Sequence, residues 1–392
     1  MKILQLCNKS PLPPKEGGSI AMYHLAQALI SAGHEIDVLT VTTPKYAPDN
    51  KIIKQFEDKN YTFDFQYIDT DIKVSGALRS LFCGESYHVA RFRNEAFMKK
   101  LVHKLNEKKY DVVLFETLYM SSYLETVRQH SDAKCVLRSH NIEHQIWQGV
   151  SEKEKNILKR TYLKYLTKKL KQFELKMIPL FDAIACISEA EMLYYRIISA
   201  NCNAGIVPFG ISEPETREIN SEAQGFYHLG SMDWMPNVEG VEWFLKYVVP
   251  ILEKKAPEIR IDIAGRNMPE RFLNFKSPVV NIIGEVDDAL IFAAKHATLV
   301  VPLFSGSGIR IKIIEAMSLG KAVISTSIGA EGILAENGKH IFIADDPQSF
   351  ARYMMKLDSE PETIANIGAN AKKLIITNHN YQAVLSAFDK LV

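Results

Sequence analysis

The sequence lacks most of the features that would assign it to a class other than compact globular proteins. Its five cysteines in 392 residues include no C-x-x-C pair, so neither a disulfide framework nor a thiolate metal site is indicated. The formal net charge is only +1, without the basic excess typical of nucleic-acid binding. No run approaches the roughly 20 apolar residues of a membrane span, and the N-terminus has no apolar secretory segment. We therefore expect a cytoplasmic protein with buried thiols and no nucleic-acid partner.

The composition that is present, 47% hydrophobic and 24% charged residues, is typical of a folded α/β chain long enough for two domains. Strand and helix patterns alternate along the chain and are interrupted once, by the polar stretch 212–222. The alternation predicts two Rossmann-like domains of class α/β, facing each other across a cleft. We place them at residues 1–210 and 222–374, and we expect a final helix at 375–392.

Residues 298–332 contain the strongest local pattern. An apolar run at 299–303 predicts a buried strand, and a Ser-Gly-Ser-Gly turn at 305–308 precedes a helical pattern over 309–319. A glycine-rich turn before a helix leaves backbone N–H groups free for a phosphate, and Arg310 and Lys312 follow directly. Glu315 lies on the apolar stripe of this helix and needs a partner, for which a sugar hydroxyl is suitable. A solvated turn with Glu315 paired to Lys312 remains an alternative.

A second glycine pair opens the first domain. The strand pattern at 2–7 leads through a loop to Gly17 and Gly18, then to a helix over 19–32 and a strand over 35–40. Such a turn lets a phosphate or a sugar approach the backbone closely, although it equally forms a plain tight turn. The G-x-G-x-x-G of dinucleotide-binding domains is absent, which argues against a dehydrogenase.

Polar residues follow two other predicted strands, and ligands bind at the carboxyl ends of parallel strands. Ser139, His140 and Asn141 come after the strand at 134–138, and Ser188 ends the strand at 183–188. His140 is therefore a candidate site residue, with a structural histidine as the alternative.

The segment 151–180 predicts one long lysine-rich helix, with nine lysine and arginine residues between 151 and 176. Such a helix could lie on an anionic membrane surface, which would make the protein peripheral to the inner face of the membrane. An ordinary solvated helix that covers the sheet is the interpretation we favour.

Taken together, eight short motifs in this order resemble a GT-B glycosyltransferase of the retaining family 4 type, and the resemblance runs through most of the chain. The motifs are P-P-x-x-G-G at 13–18, G-H-E-I at 33–36, S-H-N at 139–141, V-P-F-G at 207–210, H-L-G-S-M-D-W-M-P-N at 228–237, I-A-G at 263–265, G-E-V-D-D at 284–288 and the stretch 298–332.

This resemblance implies that a nucleotide-sugar donor binds the C-terminal domain and that the acceptor binds mostly the N-terminal domain. It implies that the final helix crosses back to the N-terminal domain. Members of the family generally need no metal, because backbone amides and basic residues neutralise the leaving diphosphate. We therefore expect no cofactor, with the nucleotide-sugar as a substrate.

The sequence departs from the family pattern in two places. The family has two glutamates separated by seven residues, and Glu315 matches the second while Ser307 occupies the first position. The Arg and Lys that often follow the first strand of the C-terminal domain are absent from 230–234, so we expect Arg310 and Lys312 to hold the diphosphate.

The resulting hypothesis is transfer of a sugar, by a hexosyltransferase-type enzyme, from a nucleotide-sugar to a glycan or lipid-linked acceptor in cell-surface polysaccharide assembly, with retention of configuration. A GT-B nucleotide-sugar epimerase and a non-catalytic nucleotide- or glycan-binding scaffold are the alternatives. The resemblance makes His140 and Glu315 the catalytic candidates and Ser139, Asn141 and Ser188 the acceptor-side candidates. The donor-binding candidates are Gly17, Gly18, Gly230, Arg266, Gly306, Ser307, Gly308, Arg310, Lys312 and Glu315.

Overall fold

The computed structural model describes residues 1–14, 16–43, 50–71, 86–199, 202–212, 223–306 and 308–392. The chain divides into two compact units. Unit 1 comprises Met1–Ser212 together with Tyr381–Val392, and unit 2 ends at Asn380. Most of the predicted linker at 212–222, and also Cys83 and Ser307, lie outside the described residues.

Unit 1 is built on a seven-stranded sheet of order β3-β2-β1-β4-β5-β6-β7, with every adjacent pair parallel. This order reverses between β1 and β4, which is where ligands bind in open α/β sheets. The strands are β1 (Lys2–Cys7), β2 (Glu35–Thr42), β3 (Tyr61–Tyr67), β4 (Val112–Glu116), β5 (Lys134–Arg138), β6 (Ala183–Cys186) and β7 (Ala204–Ile206).

Both faces of this sheet are covered, which explains why its strands are apolar along their whole length. Alternate residues divide between two cores: Ile3 and Val112 face one of them, while Leu4 and Val113 face the other. The helices of unit 1 are α1 (Gly17–Ser31), α2 (Asn50–Phe56), α3 (Tyr87–Ala90), α4 (Glu95–Glu107), α5 (Leu124–His130), α6 (Glu143–Lys153), α7 (Ile157–Met177) and α8 (Glu189–Ile198), with 3₁₀ turns at Leu118–Tyr123 and Ile178–Leu180.

The prediction of one long helix over 151–180 is wrong, because two separate helices share this segment. Helix α6 ends at Lys153 and α7 begins at Ile157, so the two form a helical hairpin. The break is local in origin: the side chain of Asn156 accepts a hydrogen bond from the backbone N–H of Lys159, which caps the start of α7.

Unit 2 repeats the architecture with a six-stranded parallel sheet of order β10-β9-β8-β11-β12-β13. Its order reverses between β8 and β11, so the loops after these two strands are placed at the switch point. The strands are β8 (Phe226–Leu229), β9 (Ile261–Ala264), β10 (Val280–Gly284), β11 (Thr298–Val301), β12 (Ala322–Ser325) and β13 (Phe342–Ile343).

The first helix of unit 2 begins at Met235, and Pro236 is favourable in its first turn. One π-helical turn at Phe244–Val248 separates this helix from its continuation. The helices are α9 (Met235–Trp243), α10 (Val249–Lys255), α11 (Glu270–Leu273), α12 (Ala289–Ala294), α13 (Ile311–Ser318), α14 (Pro347–Ser359) and α15 (Pro361–Asn378).

The last helix, α16 (Tyr381–Leu391), packs on α1 and belongs to unit 1. It begins six residues later than the predicted 375, since α15 continues to Asn378. Val384 and Phe388 are buried in the core that covers one face of the sheet. Gly210 allows this packing, because a Cβ atom there would lie 2.4 Å from the Val384 side chain. Within the described residues, no helix is long and apolar enough to cross a membrane.

Candidate functional site

Four polar side chains meet at the switch point of unit 1, and we call them the strand-end cluster: Gln5, Glu116, Arg138 and His140. They come from β1, the end of β4, the end of β5 and the loop that follows it. Glu116 is at the centre and is fully buried, at 0% exposure. Its Oε2 lies 2.7 Å from His140 Nε2, and its Oε1 accepts a hydrogen bond from Gln5 Nε2 at 2.7 Å.

Charge in this cluster is compensated. Burial alone would raise the pKa of Glu116, but the charge of Arg138 and the hydrogen bonds from His140 and Gln5 lower it below the ordinary value. Burial lowers the pKa of His140, against the opposing effect of Glu116. A neutral His140 beside an ionised Glu116 donates its Nε2 proton to the carboxylate, so its Nδ1 is the nitrogen left as an acceptor.

The Gly17-Gly18 turn is close to this cluster. Helix α1 begins at Gly17, two residues earlier than predicted. A Cβ atom on Gly18 would lie 3.1 Å from the side chain of Lys9, whose ammonium pairs with Glu16 at 3.2 Å. The charge of Lys9 contributes to the lowered pKa of His140, so a lysine that the sequence did not single out lies near the histidine.

The three acceptor-side candidates have structural partners. The Ser139 hydroxyl donates to the Asn141 carbonyl oxygen at 3.1 Å and lies 2.9 Å from the Tyr195 hydroxyl. Ser188 caps α8, since its hydroxyl oxygen accepts a hydrogen bond from the backbone N–H of Glu191 at 3.3 Å. Ser139 and Asn141 therefore flank His140 in the loop after β5, and Ser188 caps the start of α8.

A second cluster lies at the switch point of unit 2, and we call it the glycine-turn cluster: Trp234, Asn237, Gly306, Arg310, Lys312 and Glu315. Gly306 and Gly308 have φ angles of +98° and +79°, which favour glycine strongly. A Cβ atom on Gly306 would lie 2.6 Å from the Trp234 ring, so the turn and the ring are in close contact.

The two cations of this cluster contact a ring and neutral oxygens, and the charge of Glu331 also acts on Arg310. The Arg310 guanidinium carbon is 5.3 Å from the centre of the Trp234 ring, and its Nη1 donates to the carbonyl oxygen of Gly308. Lys312 Nζ donates at 3.1 Å to both the Leu229 carbonyl oxygen and Asn237 Oδ1. Burial lowers the pKa of Arg310 to about 10 and, with the charge of Arg310, that of Lys312 to about 7.

Glu315 is on α13 with Lys312, one turn further along. Burial raises the pKa of its carboxyl group to about 7. Lys312 bonds to Leu229 and Asn237 rather than to Glu315, so the structure does not contain the alternative pairing considered for the sequence. Burial therefore disfavours both the positive charge of Lys312 and the negative charge of Glu315.

The remaining donor-side candidates in unit 2 adjoin this cluster. Gly230 follows β8 directly, and a Cβ atom on it would lie 2.7 Å from the Asn237 amide. Arg266 follows β9, and its carbonyl oxygen accepts a hydrogen bond from the backbone N–H of Met232 at 2.9 Å. Ser307 lies outside the described residues.

Two residues that touch these candidates, Glu116 and Trp234, were not predicted as site residues. Glu116 is the last residue of β4, and His140 comes just after β5. A carboxylate that ends an apolar strand was the signal that could have identified Glu116. Trp234 belongs to the H-L-G-S-M-D-W motif, but nothing local indicates that its ring meets Gly306, 72 positions away.

Comparison with known proteins bears on both units. A family model described as "Glycosyltransferase Family 4" matches residues 16–197, and one described as "Glycosyl transferases group 1" matches residues 223–359. A Klebsiella pneumoniae protein described as an uncharacterized 44.6 kDa protein in the cps region is 24% identical over 401 residues, covering 99% of each chain.

Solved structures share the fold at low sequence identity. Anabaena HepE, crystallised with UDP and glucose, has a TM-score of 0.66 and 13% identity, with 100% of this chain and 98% of that chain covered. WaaG, described as a glycosyltransferase involved in lipopolysaccharide biosynthesis, has a TM-score of 0.66 and 14% identity, with 99% of each chain covered. The two family matches and this shared architecture lead to one conclusion: the chain belongs to the group 1 glycosyltransferases and has the GT-B fold.

Proposed function

We propose that this glycosyltransferase moves a sugar from a nucleoside-diphosphate sugar to a glycan or lipid-linked acceptor in cell-surface polysaccharide assembly, as a hexosyltransferase that retains configuration. The observation that carries the proposal is the glycine-turn cluster. Two basic side chains with lowered pKa values stand beside a glycine turn at the switch point of unit 2. A diphosphate there would offset the free-energy cost of keeping Lys312 protonated, because an adjacent anion raises the pKa of an ammonium group.

Three relatives support the choice of substrates. HepE was crystallised with UDP and glucose, WaaG is described as acting in lipopolysaccharide biosynthesis, and the Klebsiella relative is described by its place in the cps region. We assign the diphosphate to Gly306, Gly308, Arg310 and Lys312, and a ribose hydroxyl pair to Glu315. Gly230 and Arg266 adjoin this group, and Gly17 and Gly18 keep their predicted donor role from unit 1.

His140 is our proposed catalytic residue of unit 1. Because Glu116 accepts the Nε2 proton, the imidazole is held in one orientation with Nδ1 as a hydrogen-bond acceptor for a sugar hydroxyl. Glu116 is then a positioning residue for His140. Ser139, Asn141 and Ser188 remain acceptor-side predictions.

We expect activity without a bound metal or cofactor, a cytoplasmic location, and no nucleic-acid partner. For residues 151–176, a membrane contact stays the alternative to the solvated helix that we favour.

The first experiment is a thermal-shift screen of the whole chain against UDP, GDP, TDP, ADP and their sugar conjugates, with and without EDTA. A ligand that binds the folded protein raises its melting temperature by mass action, so one nucleotide class should stand out. Arg310→Ala and Lys312→Ala should each lower kcat/KM for that donor about ten- to a hundredfold, since a charge-assisted hydrogen bond is worth about 1.5–3 kcal/mol.

The matched control is Lys339→Ala, because Lys339 is an exposed lysine of unit 2 that pairs with Glu336 at the surface. It should leave donor kinetics unchanged. Donor kinetics unchanged in both cluster variants would remove the phosphate assignment. An epimerised sugar formed from donor alone would establish the isomerase instead, and nucleotide binding without turnover on any acceptor would establish the scaffold.

A further inference from the structure

Four buried polar atoms at one end of the unit 1 sheet have no hydrogen-bond partner among the residues that the structure describes. They are Gln5 Oε1, Asn8 Oδ1, Thr117 Oγ1 and Arg138 Nε. All four belong to residues in or directly after β1, β4 and β5, which are adjacent strands at the switch point. Buried polar groups in folded proteins are almost always paired, so several unpaired atoms at one place indicate a site that a ligand completes.

Asn8 and Thr117 are the two of these residues that reach the surface of the unit. Both are partly exposed, whereas the other two are 1% exposed. Cys7 and Glu116 are partners in the parallel ladder of β1 and β4, so Asn8 and Thr117 are the next residues on two neighbouring strands. Such strands lie about 4.8 Å apart, which lets both side chains bond to neighbouring hydroxyl groups of one sugar ring. We call Asn8 and Thr117 the hydroxyl-binding pair.

Thr117 also has a backbone conformation that a β-branched residue rarely adopts. Its φ angle is +79° and its ψ angle is +156°. Its backbone N–H donates to the Arg138 carbonyl oxygen at 3.1 Å, and its carbonyl oxygen accepts from the Met120 N–H at 3.3 Å, so neighbouring elements hold it in place. A strained residue with an unpaired hydroxyl is costly to folding, and backbone strain is concentrated at functional sites.

The charges beside the pair are already compensated. The charge of Arg138 acts on the buried carboxylate of Glu116, and Lys9, the neighbour of Asn8 in sequence, pairs with Glu16 at 3.2 Å. An anionic ligand would therefore meet cations that carboxylates already neutralise. A neutral ligand rich in hydroxyl groups would instead pair the two strand-end oxygens, because a hydroxyl group can donate a hydrogen bond to each of them.

We propose that Asn8 and Thr117 bind two neighbouring hydroxyl groups of the acceptor sugar, and that they select a neutral sugar there over a uronic acid. Asn8 Oδ1 accepts a hydrogen bond from one hydroxyl group, and the Thr117 hydroxyl bonds to the next. Rotation of the two side chains brings their oxygens from buried positions to the substrate. The inference rests on the proposed function and adds the residues of unit 1 that recognise the sugar.

The test uses the octyl glycosides of glucose, galactose, N-acetylglucosamine and glucuronic acid with the full chain. Their Kd values are measured by titration with saturation-transfer NMR. We expect a neutral glycoside to bind and the glucuronide to bind at least about tenfold more weakly than it. Asn8→Ala and Thr117→Val should each raise the Kd for that neutral glycoside about three- to tenfold, the effect of losing one hydrogen bond between neutral groups.

Thr117→Val also gives a stability measurement that separates binding from structure. The substitution keeps the shape of the side chain and removes a hydroxyl that has no partner in the described part of the chain. The melting temperature should therefore rise by about 2–4 °C while glycoside binding weakens. A structural hydroxyl would give the opposite sign, a lower melting temperature. Thr117→Ser keeps the hydroxyl and should return the Kd to within about twofold of that of the unmodified chain.

The matched control is Thr298→Val in unit 2. The Thr298 hydroxyl is likewise buried without a partner among the described residues, and Thr298 is 0% exposed. This variant should raise the melting temperature as Thr117→Val does and should leave the glycoside Kd unchanged. The nucleotide thermal shift should be the same in every variant. Absence of that shift from the unmodified chain would refute the proposed function, which is a different result from failure of the hydroxyl-binding pair.

Three results would overturn the proposal. The first is nucleotide binding by the unmodified chain without binding of any neutral glycoside. The second is binding of the glucuronide as tight as that of the neutral glycosides. The third is an unchanged glycoside Kd in both Asn8→Ala and Thr117→Val, or a lower melting temperature for Thr117→Val, since either would leave the two side chains with a structural role.

Discussion

Glu116 in unit 1 is fully buried and Lys312 in unit 2 is partly buried; each is an ionisable group at a switch point, and their surroundings differ. Glu116 has a guanidinium, an imidazole and an amide around it, and its pKa is lowered, so burial does not prevent its ionisation. Lys312 has a carbonyl oxygen and an amide oxygen, and its pKa is lowered to about 7, so burial disfavours its charge. The charges of the first site are compensated by its own side chains, whereas we propose that an anion compensates those of the second.

The largest expected effect comes from breaking the complete site. Glu116→Ala leaves Arg138 buried without its carboxylate, and losing one partner of a buried pair costs about 3–5 kcal/mol. We expect the free energy of unfolding to fall by that amount in urea denaturation followed by circular dichroism.

The control for this variant is Glu336→Ala, which removes an exposed carboxylate paired with Lys339 and should change stability by less than about 0.5 kcal/mol. Equal stability of the two variants would mean that Glu116 does not hold the strand-end cluster together.

Glu116→Gln keeps the shape of the side chain and should lower kcat more than KM. The reason is that an amide can also donate a hydrogen bond to His140 Nε2, which would shift the imidazole proton to Nδ1.

Lys312→Met should differ from Glu116→Ala, because removing the Lys312 charge should not destabilise the protein. The unfolded chain holds the lysine proton up to its ordinary pKa of 10.5, while the folded pKa is about 7. Between those values the unfolded state binds more protons, so stability of the unmodified protein rises with pH, at most by about 1.4 kcal/mol per pH unit. Melting temperatures across that range should rise less in the variant, and a parallel pair of curves would contradict the shifted pKa.

Nucleotide binding should depend on pH for the same reason. As pH rises through about 7, Lys312 loses its proton and Glu315, whose pKa is also about 7, becomes negative. Both changes weaken attraction for a diphosphate, so the Kd for the nucleoside diphosphate should rise with pH, and loss of the Lys312 proton alone contributes up to about tenfold per pH unit. Calorimetric titration of the unmodified protein and of Lys312→Met measures this, and an equal pH slope in both would refute the role of Lys312.

The smallest effect is expected at Ser188, whose hydroxyl caps α8. Ser188→Ala should lower the free energy of unfolding by about 1 kcal/mol, and Ser188→Asp should keep it, because aspartate also caps helices. If both variants instead raise the KM for the acceptor at unchanged stability, the acceptor-side prediction holds.

The sequence predicted what depends on local pattern. The strand at 134–138, the Gly-Gly and Gly-Ser-Gly turns and the alternating architecture all follow from short-range periodicity and from glycine at turns. The break after Lys153 was missed because it depends on one capping side chain, Asn156, inside an otherwise continuous helical pattern.

The partners within each site could not be predicted in the same way. His140 was identified by its position after a strand, but its bond to Glu116 depends on β4 and β5 lying side by side in register. The contact of Trp234 with Gly306 likewise joins residues that only the sheet order brings together. Sequence spacing gives no measure of such distances, so the hydrogen-bond partners and charge states of these residues could not be predicted.

Helix α16 has a consequence for how the chain is made. Unit 1 lacks Val384 and Phe388 until unit 2 has been synthesised, so the apolar face that α16 covers stays without these side chains throughout synthesis of unit 2. Unit 2 is continuous in sequence and can fold as soon as it is made, whereas unit 1 is completed only when α16 has been made. Early termination before Tyr381 would therefore damage the unit that was translated first.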